Sequence, residues 1–267
     1  MRIIILAKQV INPEIPQASF RIDEASKRAV PPASTPPVLN GFDEQAVEAA
    51  LRIKSANGAT VTVITMGKDL APDVIKKPLS MGADDLIVVR DDTPQEDRDA
   101  YSTAYLLAQA VHKAGEFDLI LCGRQASDTD RGQVGVGVAE LLGIPSITIA
   151  KSVAVTEGKV RVERVLADGI EVVEAPLPAL VTVSNELGEA RYPTLRGISQ
   201  AARKQPAVWS MADIGADPEV VSGAKRRVRM TRLFIPRVEK ACEFIEGENG
   251  EEIGRKLALK LHEAKLI

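Results

Sequence analysis

Apolar runs and helical patterns alternate along the first half of the chain. Residues 2–7 (RIIILA) are almost entirely apolar, which is typical of a strand covered on both faces. The same patterns predict further strands and amphipathic helices. The predicted strands lie at 60–66, 86–89 and 118–122, and the predicted helices at 43–57, 69–81, 99–113 and 133–143. We expect a kink at Pro78, because proline removes an internal hydrogen bond of a helix.

This alternation predicts right-handed crossovers between parallel strands. The predicted fold is a doubly wound α/β domain with a mostly parallel sheet, a Rossmann-like architecture. Ligands bind such sheets at the carboxyl ends of the strands.

The pattern changes in the second half. Short strands joined by turns at 157–158 and 168–169 predict an antiparallel extension of the sheet. These strands are predicted at 147–149, 153–155, 160–165, 170–173 and 180–183. The proline-rich stretch between 12 and 37 and the residues after Asn185 show no period, so no regular structure is expected there. Periodicity returns at 251–265 in an amphipathic helix with the stripe Ile253, Leu257 and Leu261, and another subunit is one candidate partner for it.

A glycine-rich loop follows the strand predicted at 118–122. Residues 123–137 read GRQASDTDRGQVGVG and open the helix predicted from Gln133. Free N–H groups and the helix dipole at such a site favour an anion, most simply a nucleotide phosphate. The loop matches neither the P-loop pattern nor GxGxxG. The alternative is a plain connection in which Asp128 or Asp130 caps the helix.

Composition argues against several other functions. The net charge is −3 and aromatic residues are only 3%, so nucleic acid is not an expected partner, despite a basic run at 225–229. Cys122 and Cys242 have no CxxC spacing, which speaks against a disulfide framework and a zinc site. We expect no metal, no catalytic constellation and no membrane insertion, and a cytoplasmic location or an organelle matrix after import.

Two further stretches have a functional and a structural interpretation. Residues 40–44 (NGFDE) either cap a helix or close on the same ligand as the glycine-rich loop. Residues 191–198 (RYPTLRGI) form either an exposed apolar tip, which would be a contact site, or a loop packed on the core.

These motifs together resemble the beta subunit of electron transfer flavoproteins. The resemblance runs from Met1 to the C-terminus and rests on five dispersed motifs in the right order. They are Lys8-Gln9-Val10, Asn40-Gly41-Phe42-Asp43-Glu44, Met81-Gly82-Ala83-Asp84, the loop from Gly123 to Gly135, and Arg191-Tyr192-Pro193-Thr194-Leu195.

The resemblance implies a heterodimer with an alpha subunit and a shared FAD. Electrons would pass from an acyl-CoA dehydrogenase to a membrane quinone oxidoreductase, without bond-making chemistry by this chain. The beta subunit would hold an AMP, with Gly132, Gln133 and Val134 nearest the phosphate. The implied nucleotide site comprises Leu6, Ala7, Asn40, Met66, Gly123, Arg124, Gln125, Ala126, Asp128, Thr129, Arg131, Gly132, Gln133, Val134 and Gly135.

The resemblance also divides the chain. Residues 1–190 would be the nucleotide-binding domain, 191–205 the partner-recognition loop, and 206–267 a C-terminal segment with a helical arm against the alpha subunit. The recognition loop would dock dehydrogenases through Leu195, flanked by Tyr192 and Ile198.

Two alternatives remain open. Electron-bifurcating members of the family use NADH as donor and place the ADP half of a second FAD in the AMP pocket. They split the two electrons of NADH between a high-potential and a low-potential acceptor, and a quinone oxidoreductase or ferredoxin would receive electrons from this chain's complex. Gln133-Val134-Gly135 resembles their pattern, whereas Arg131-Gly132 and Val136 depart from it. Val165 stands where some AMP-type members carry a glutamate near the flavin, and Pro78 is another departure from the family pattern. The alternative of another class is an ATP-binding enzyme or a stress-type nucleotide sensor, although the loop lacks a P-loop lysine.

Overall fold

The computed structural model describes residues 1–93, 98–236 and 242–267. Residues 94–97 of the predicted domain 1–190 and residues 237–241 of the predicted segment 206–267 lie outside the described residues. The chain folds into two compact units, Met1–Leu233 and Phe234–Ile267.

A nine-stranded sheet forms the centre of the first unit. Its order is β11-β10-β9-β12-β8-β1-β6-β7-β13, and two small sheets pair β2 with β5 and β3 with β4. The strands are β1 (Arg2–Ala7), β2 (Gln9–Val10), β3 (Arg21–Asp23), β4 (Arg28–Val30), β5 (Val38–Leu39), β6 (Thr60–Gly67), β7 (Asp85–Arg90), β8 (Leu119–Gly123), β9 (Ser146–Thr156), β10 (Lys159–Leu166), β11 (Gly169–Pro176), β12 (Ala179–Val183) and β13 (Ala207–Ser210).

Strands β9, β12, β8, β1, β6, β7 and β13 run parallel, and β10 and β11 add an antiparallel edge. The predicted fold class, a mostly parallel doubly wound sheet with an antiparallel extension, is therefore confirmed.

Helices cover both faces of the sheet. In the first unit they are α1 (Gly41–Asn57), α2 (Pro72–Ile75), α3 (Lys77–Met81), α4 (Ala100–Ala114), α5 (Val134–Leu142), α6 (Leu195–Arg203) and α7 (Pro218–Val221). The helix α8 (Gly250–Glu263) belongs to the second unit. On β1, Ile3 and Ile5 pack with α1 and α3 on one face, whereas Ile4 and Leu6 pack with α4 and α5 on the other. This is why residues 2–7 are apolar without alternation.

Several local predictions were wrong. The helix predicted at 69–81 is interrupted, but the break lies at Lys76 between the short helices α2 and α3 and not at Pro78. Pro78 lies in the first turn of α3, where its missing N–H costs nothing. The proline-rich stretch contains the hairpin β3–β4. The residues after Asn185, predicted to be irregular, form α6, α7 and the edge strand β13.

The second unit contains α8 in its described part. Asn249 caps this helix by accepting a hydrogen bond from the Glu252 amide at 2.9 Å. No residue of α8 is buried, and Leu257 of the predicted stripe is exposed. Within the described ranges, no helix of either unit is long and apolar enough to cross a membrane.

Candidate functional site

The topological switch point of the sheet lies between β1 and β8. The chain adds β6 and β7 on one side of β1 and then returns to place β8 on the other side. Ligands of doubly wound folds bind in the crevice outside the carboxyl ends of such strands. Leu6 and Ala7 end β1, Gly123 ends β8, and Met66 lies near the end of β6, so the fold brings these predicted site residues to one edge.

Asn40 fastens the glycine-rich loop to the end of β1. Its backbone amide donates to the Lys8 carbonyl at 2.9 Å. Its buried side chain donates from Nδ2 to the Gln125 carbonyl at 2.8 Å and accepts from the Ser127 amide at 3.1 Å. A single side chain thus positions the middle of the loop.

The loop is folded tightly between Gln125 and Gly132. The Thr129 and Asp130 amides both donate to the Ala126 carbonyl, and the Gln125 side chain donates to Asp130 at 2.8 Å. Gly132 has a φ of +62°, a left-handed conformation that glycine adopts without strain.

The N-terminus of α5 follows directly. Gln133 is its N-cap, so neither Asp128 nor Asp130 caps the helix as the alternative interpretation predicted. Within the described residues, no side-chain hydrogen bond caps this end. The first amide bonded within the helix is that of Gly137, to the Gln133 carbonyl at 2.9 Å. The earlier amides and the helix dipole together suit an anion.

Glycines allow the loop and α5 to lie close to the sheet. A Cβ at Gly135 would lie 2.7 Å from the Cys122 sulfur and 3.2 Å from a Thr182 methyl carbon. A Cβ at Gly123 would lie 2.6 Å from the nearest Asp43 oxygen. Both positions therefore exclude any larger residue unless the neighbours move.

Asp43 joins the carboxyl ends of the two central strands. Its Oδ2 accepts from the Lys8 amide and its Oδ1 from the Gly123 amide, both at 2.8 Å. Burial raises the pKa of Asp43 to about 6, although the two amide hydrogen bonds act in the opposite direction. The motif at 40–44 stands out in the sequence, but this bridging role was not predicted.

The charged side chains of the loop have different surroundings. Lys8 Nζ lies 2.7 Å from Asp128, whose side chain is almost fully buried. Arg124 stacks over the Phe42 ring at 4.9 Å and donates to the Ser184 hydroxyl at 3.3 Å. Thr129 and Arg131 are exposed. Among the described residues, no group of three or more His, Cys, Asp or Glu side chains could hold a metal ion.

The predicted docking residues lie together on and beside α6. Tyr192 and Leu195 are each 88% exposed and Ile198 is 50% exposed, and we call these three residues the apolar tip. They are not on the elements that form the crevice between β1 and β8. The alternative, in which this loop is packed on the core, is wrong for these side chains.

Comparison with known proteins identifies the family. The sequence model described as electron transfer flavoprotein domain matches residues 33–214. The chain is 37% identical to the electron transfer flavoprotein subunit beta of Megasphaera elsdenii over the full length of both. The chain belongs to the electron transfer flavoprotein beta-subunit family.

Two further relatives extend the comparison. The caffeyl-CoA reductase-Etf complex subunit CarD of Acetobacterium woodii is 35% identical over the full length of both chains. The beta subunit of the Bacillus subtilis electron transfer flavoprotein is 33% identical over 86% of this chain and 88% of its own. Membership gives this chain a role in electron transfer, and the resemblance seen in the sequence is confirmed.

Proposed function

We propose that this chain is the beta subunit of a heterodimeric electron transfer flavoprotein and binds an adenine nucleotide between the ends of β1 and β8. The observation that carries the proposal is the N-terminus of α5, where no side chain of the described ranges caps the helix by a hydrogen bond. Its amides, with the left-handed Gly132 before them, match the needs of a phosphate.

The residues present fit this ligand. The backbone from Gly132 to Val134 would hold the phosphate, and Leu6, Ala7 and Met66 would form apolar walls. Asn40 would position the loop, because both of its side-chain polar atoms already bond to loop backbone. In the described part of the chain, the buried Ser127 hydroxyl has no hydrogen-bond partner, so one polar group at this site is still available.

The nucleotide in the carrier form is AMP, and it has a structural role. FAD, shared with the alpha subunit, supplies the reversible acceptance and release of electrons when it is bound. This chain contributes one wall of the flavin site and the apolar tip that docks an acyl-CoA dehydrogenase. The final acceptor in this proposal is a membrane quinone oxidoreductase.

A second candidate function is electron bifurcation with NADH as donor and ferredoxin as one acceptor. Two observations favour it: the Gln133-Val134-Gly135 sequence, and the full-length similarity to a subunit of a caffeyl-CoA reductase-Etf complex. In this form the adenylate half of a second FAD would use the same amides of α5.

Counting nucleotides in the purified heterodimer tests both candidates. The chain is co-expressed with its alpha subunit, and the bound nucleotides are extracted and quantified per heterodimer. One FAD with one AMP supports the carrier, whereas two FAD without AMP support bifurcation. A folded heterodimer that contains neither AMP nor a second FAD would refute the proposed nucleotide site.

A further inference from the structure

Glu48 on α1 has a buried carboxylate that is tied to the base of the apolar tip. The Arg191 amide and Nε donate to Glu48 Oε2 at 3.1 and 2.7 Å, and Arg191 Nη2 donates to Oε1 at 3.2 Å. Arg191 immediately precedes Tyr192, the first residue of the tip. Three hydrogen bonds from one residue to one carboxylate fix both the backbone and the side chain at this point.

Arg52 completes the arrangement from the next turn of α1. Its Nε donates to Glu48 Oε1 at 2.9 Å, and its Nη1 donates to the Leu187 carbonyl at 3.2 Å. Burial alone would raise the pKa of Glu48, but the hydrogen bonds from Arg191 and Arg52 hold the pKa below its ordinary value. The carboxylate is therefore charged at neutral pH and holds two guanidinium groups.

The other end of the tip is fixed as well. Thr194 caps α6 by accepting from the Gly197 amide at 3.0 Å. Gly197 lies so close to α3 that an added Cβ would be 2.3 Å from the Ser80 carbonyl oxygen. Exposed apolar side chains on a backbone fixed at both ends are typical of a preorganised contact site.

We propose that Glu48 is a positioning residue for partner docking, which holds the apolar tip in its docking conformation through Arg191. This inference rests on the proposed function, since the partner is the acyl-CoA dehydrogenase of that proposal. Among the described residues, the side-chain hydrogen bonds of Glu48 go to Arg52 and Arg191, which are not residues of the implied nucleotide site. By this proposal Glu48 does not contact the dehydrogenase either. Its removal would lower the fraction of molecules with a competent tip, and apparent affinity falls in proportion to that fraction.

The test measures electron transfer from a purified acyl-CoA dehydrogenase that reduces the wild-type heterodimer. Glu48→Gln removes the charge of the carboxylate at nearly constant shape. Arg191→Gln removes the same ion pair at Arg191, the more exposed of the two partners. With both variants, the test still works if one of them misfolds. Glu174→Gln is the control, because Glu174 lies on β11, away from α1, α3 and α6 in the sheet order, and its carboxylate is 3.9 Å from Lys159 Nζ. Leu195→Ala removes the docking side chain itself.

We expect Glu48→Gln and Arg191→Gln to raise the KM for the heterodimer about 5-fold to 10-fold. This is the increase expected if only about a fifth to a tenth of the molecules keep the tip in its docking conformation. The kcat and the FAD content should be unchanged, and amide hydrogen exchange at 192–198 should become faster. Glu174→Gln should change none of these quantities.

The outcomes separate this inference from the proposed function. If Leu195→Ala raises KM but neither Glu48→Gln nor Arg191→Gln does, the tip docks the dehydrogenase and the role of Glu48 is refuted. If Leu195→Ala leaves KM unchanged, the apolar tip is not the docking surface. The proposed role of Glu48 in docking is then refuted as well. A fall in kcat without a change in KM would also overturn the inference.

Discussion

Asp43 connects two strands that are distant in the sequence through a single carboxylate. Its partners are the amides of Lys8 and Gly123, which lie at the ends of β1 and β8. The carboxylate is fully enclosed, and this burial raises its pKa to about 6 from an ordinary 3.8. The charged form is therefore less favourable in the folded protein than in the unfolded chain.

This shift predicts how stability depends on pH. Between about pH 4 and pH 6 the unfolded chain releases a proton that folded Asp43 retains, so the free energy of unfolding falls as pH rises. Above pH 6 the free energy of unfolding is lower by about 3 kcal/mol, because each unit of difference between the folded and unfolded pKa is worth about 1.4 kcal/mol. Asp43→Asn cannot titrate, so subtracting its unfolding free energy from that of the wild type isolates the effect.

Urea denaturation of both proteins at intervals from pH 4 to pH 8 provides the measurement. The wild-type value minus that of Asp43→Asn should decrease through this window and then level off. A difference that stays constant, or that increases with pH, would contradict the raised pKa. Other carboxylates titrate in both proteins and cancel.

The sequence pattern marked the glycine-rich loop as a candidate anion site, but it did not show which contacts position that loop. Glycines and acidic residues after an apolar run mark the loop 123–137 without knowledge of its neighbours. Asp43 and Glu48 depend on partners 80 and 143 residues away, Gly123 and Arg191. One sequence does not report such distances, and on a helix both acids look like ordinary capping or surface residues.

Strands and helices could be predicted from the sequence where burial of their side chains requires a recognisable apolar pattern. Strand β1 is covered on both faces and therefore has a continuous apolar run. Strand β13 has only four residues at the sheet edge, and its Val208 is exposed, so it carries no comparable pattern. Helix α6 was missed for a related reason: Leu195 and Ile198 point into solvent and Ala201 is buried, which reverses the usual apolar face.

The two ends of α5 offer a matched test of the phosphate site. Gly132 before the helix and Gly143 after it both have positive φ, +62° and +66°. An added Cβ at Gly132 would contact only the Arg124 carbonyl, at 3.4 Å, and at Gly143 it would contact nothing. Alanine at either site should cost a similar free energy of unfolding, about 1–2 kcal/mol, through backbone strain.

We expect only Gly132→Ala to lose adenine nucleotide, because only this end of α5 has amides available to a phosphate. The measurement is the nucleotide content of each purified heterodimer, alongside its thermal unfolding. Equal retention by both variants would contradict a phosphate at the N-terminus of α5.

The whole chain consists of an α/β unit with an enclosed core and a C-terminal unit whose described helix contributes no buried residue. The helix α8 is nevertheless apolar at Ile253, Leu257 and Leu261. The sequence predicted this apolar stripe. That the stripe binds the alpha subunit stays a prediction.

Two leucines of α8, one on the apolar stripe and one outside it, give a paired test of that contact. Leu257 and Leu259 are 45% and 55% exposed, but only Leu257 belongs to the stripe. We expect Leu257→Asp to weaken the heterodimer about tenfold or more, as for loss of a central apolar contact. Leu259→Asp should have little effect. Titration of each variant with the alpha subunit measures the Kd, and equal losses would argue against binding through the stripe.

Helix α1 presents Asp43 to the glycine-rich loop and Glu48 to Arg191. Each residue added to an α-helix rotates everything beyond it by about 100°. A single insertion or deletion between positions 43 and 48 would therefore detach one carboxylate or the other, whichever residue types were chosen. Evolution can exchange side chains in this interval, but it cannot change the number of residues without separating the two attachments.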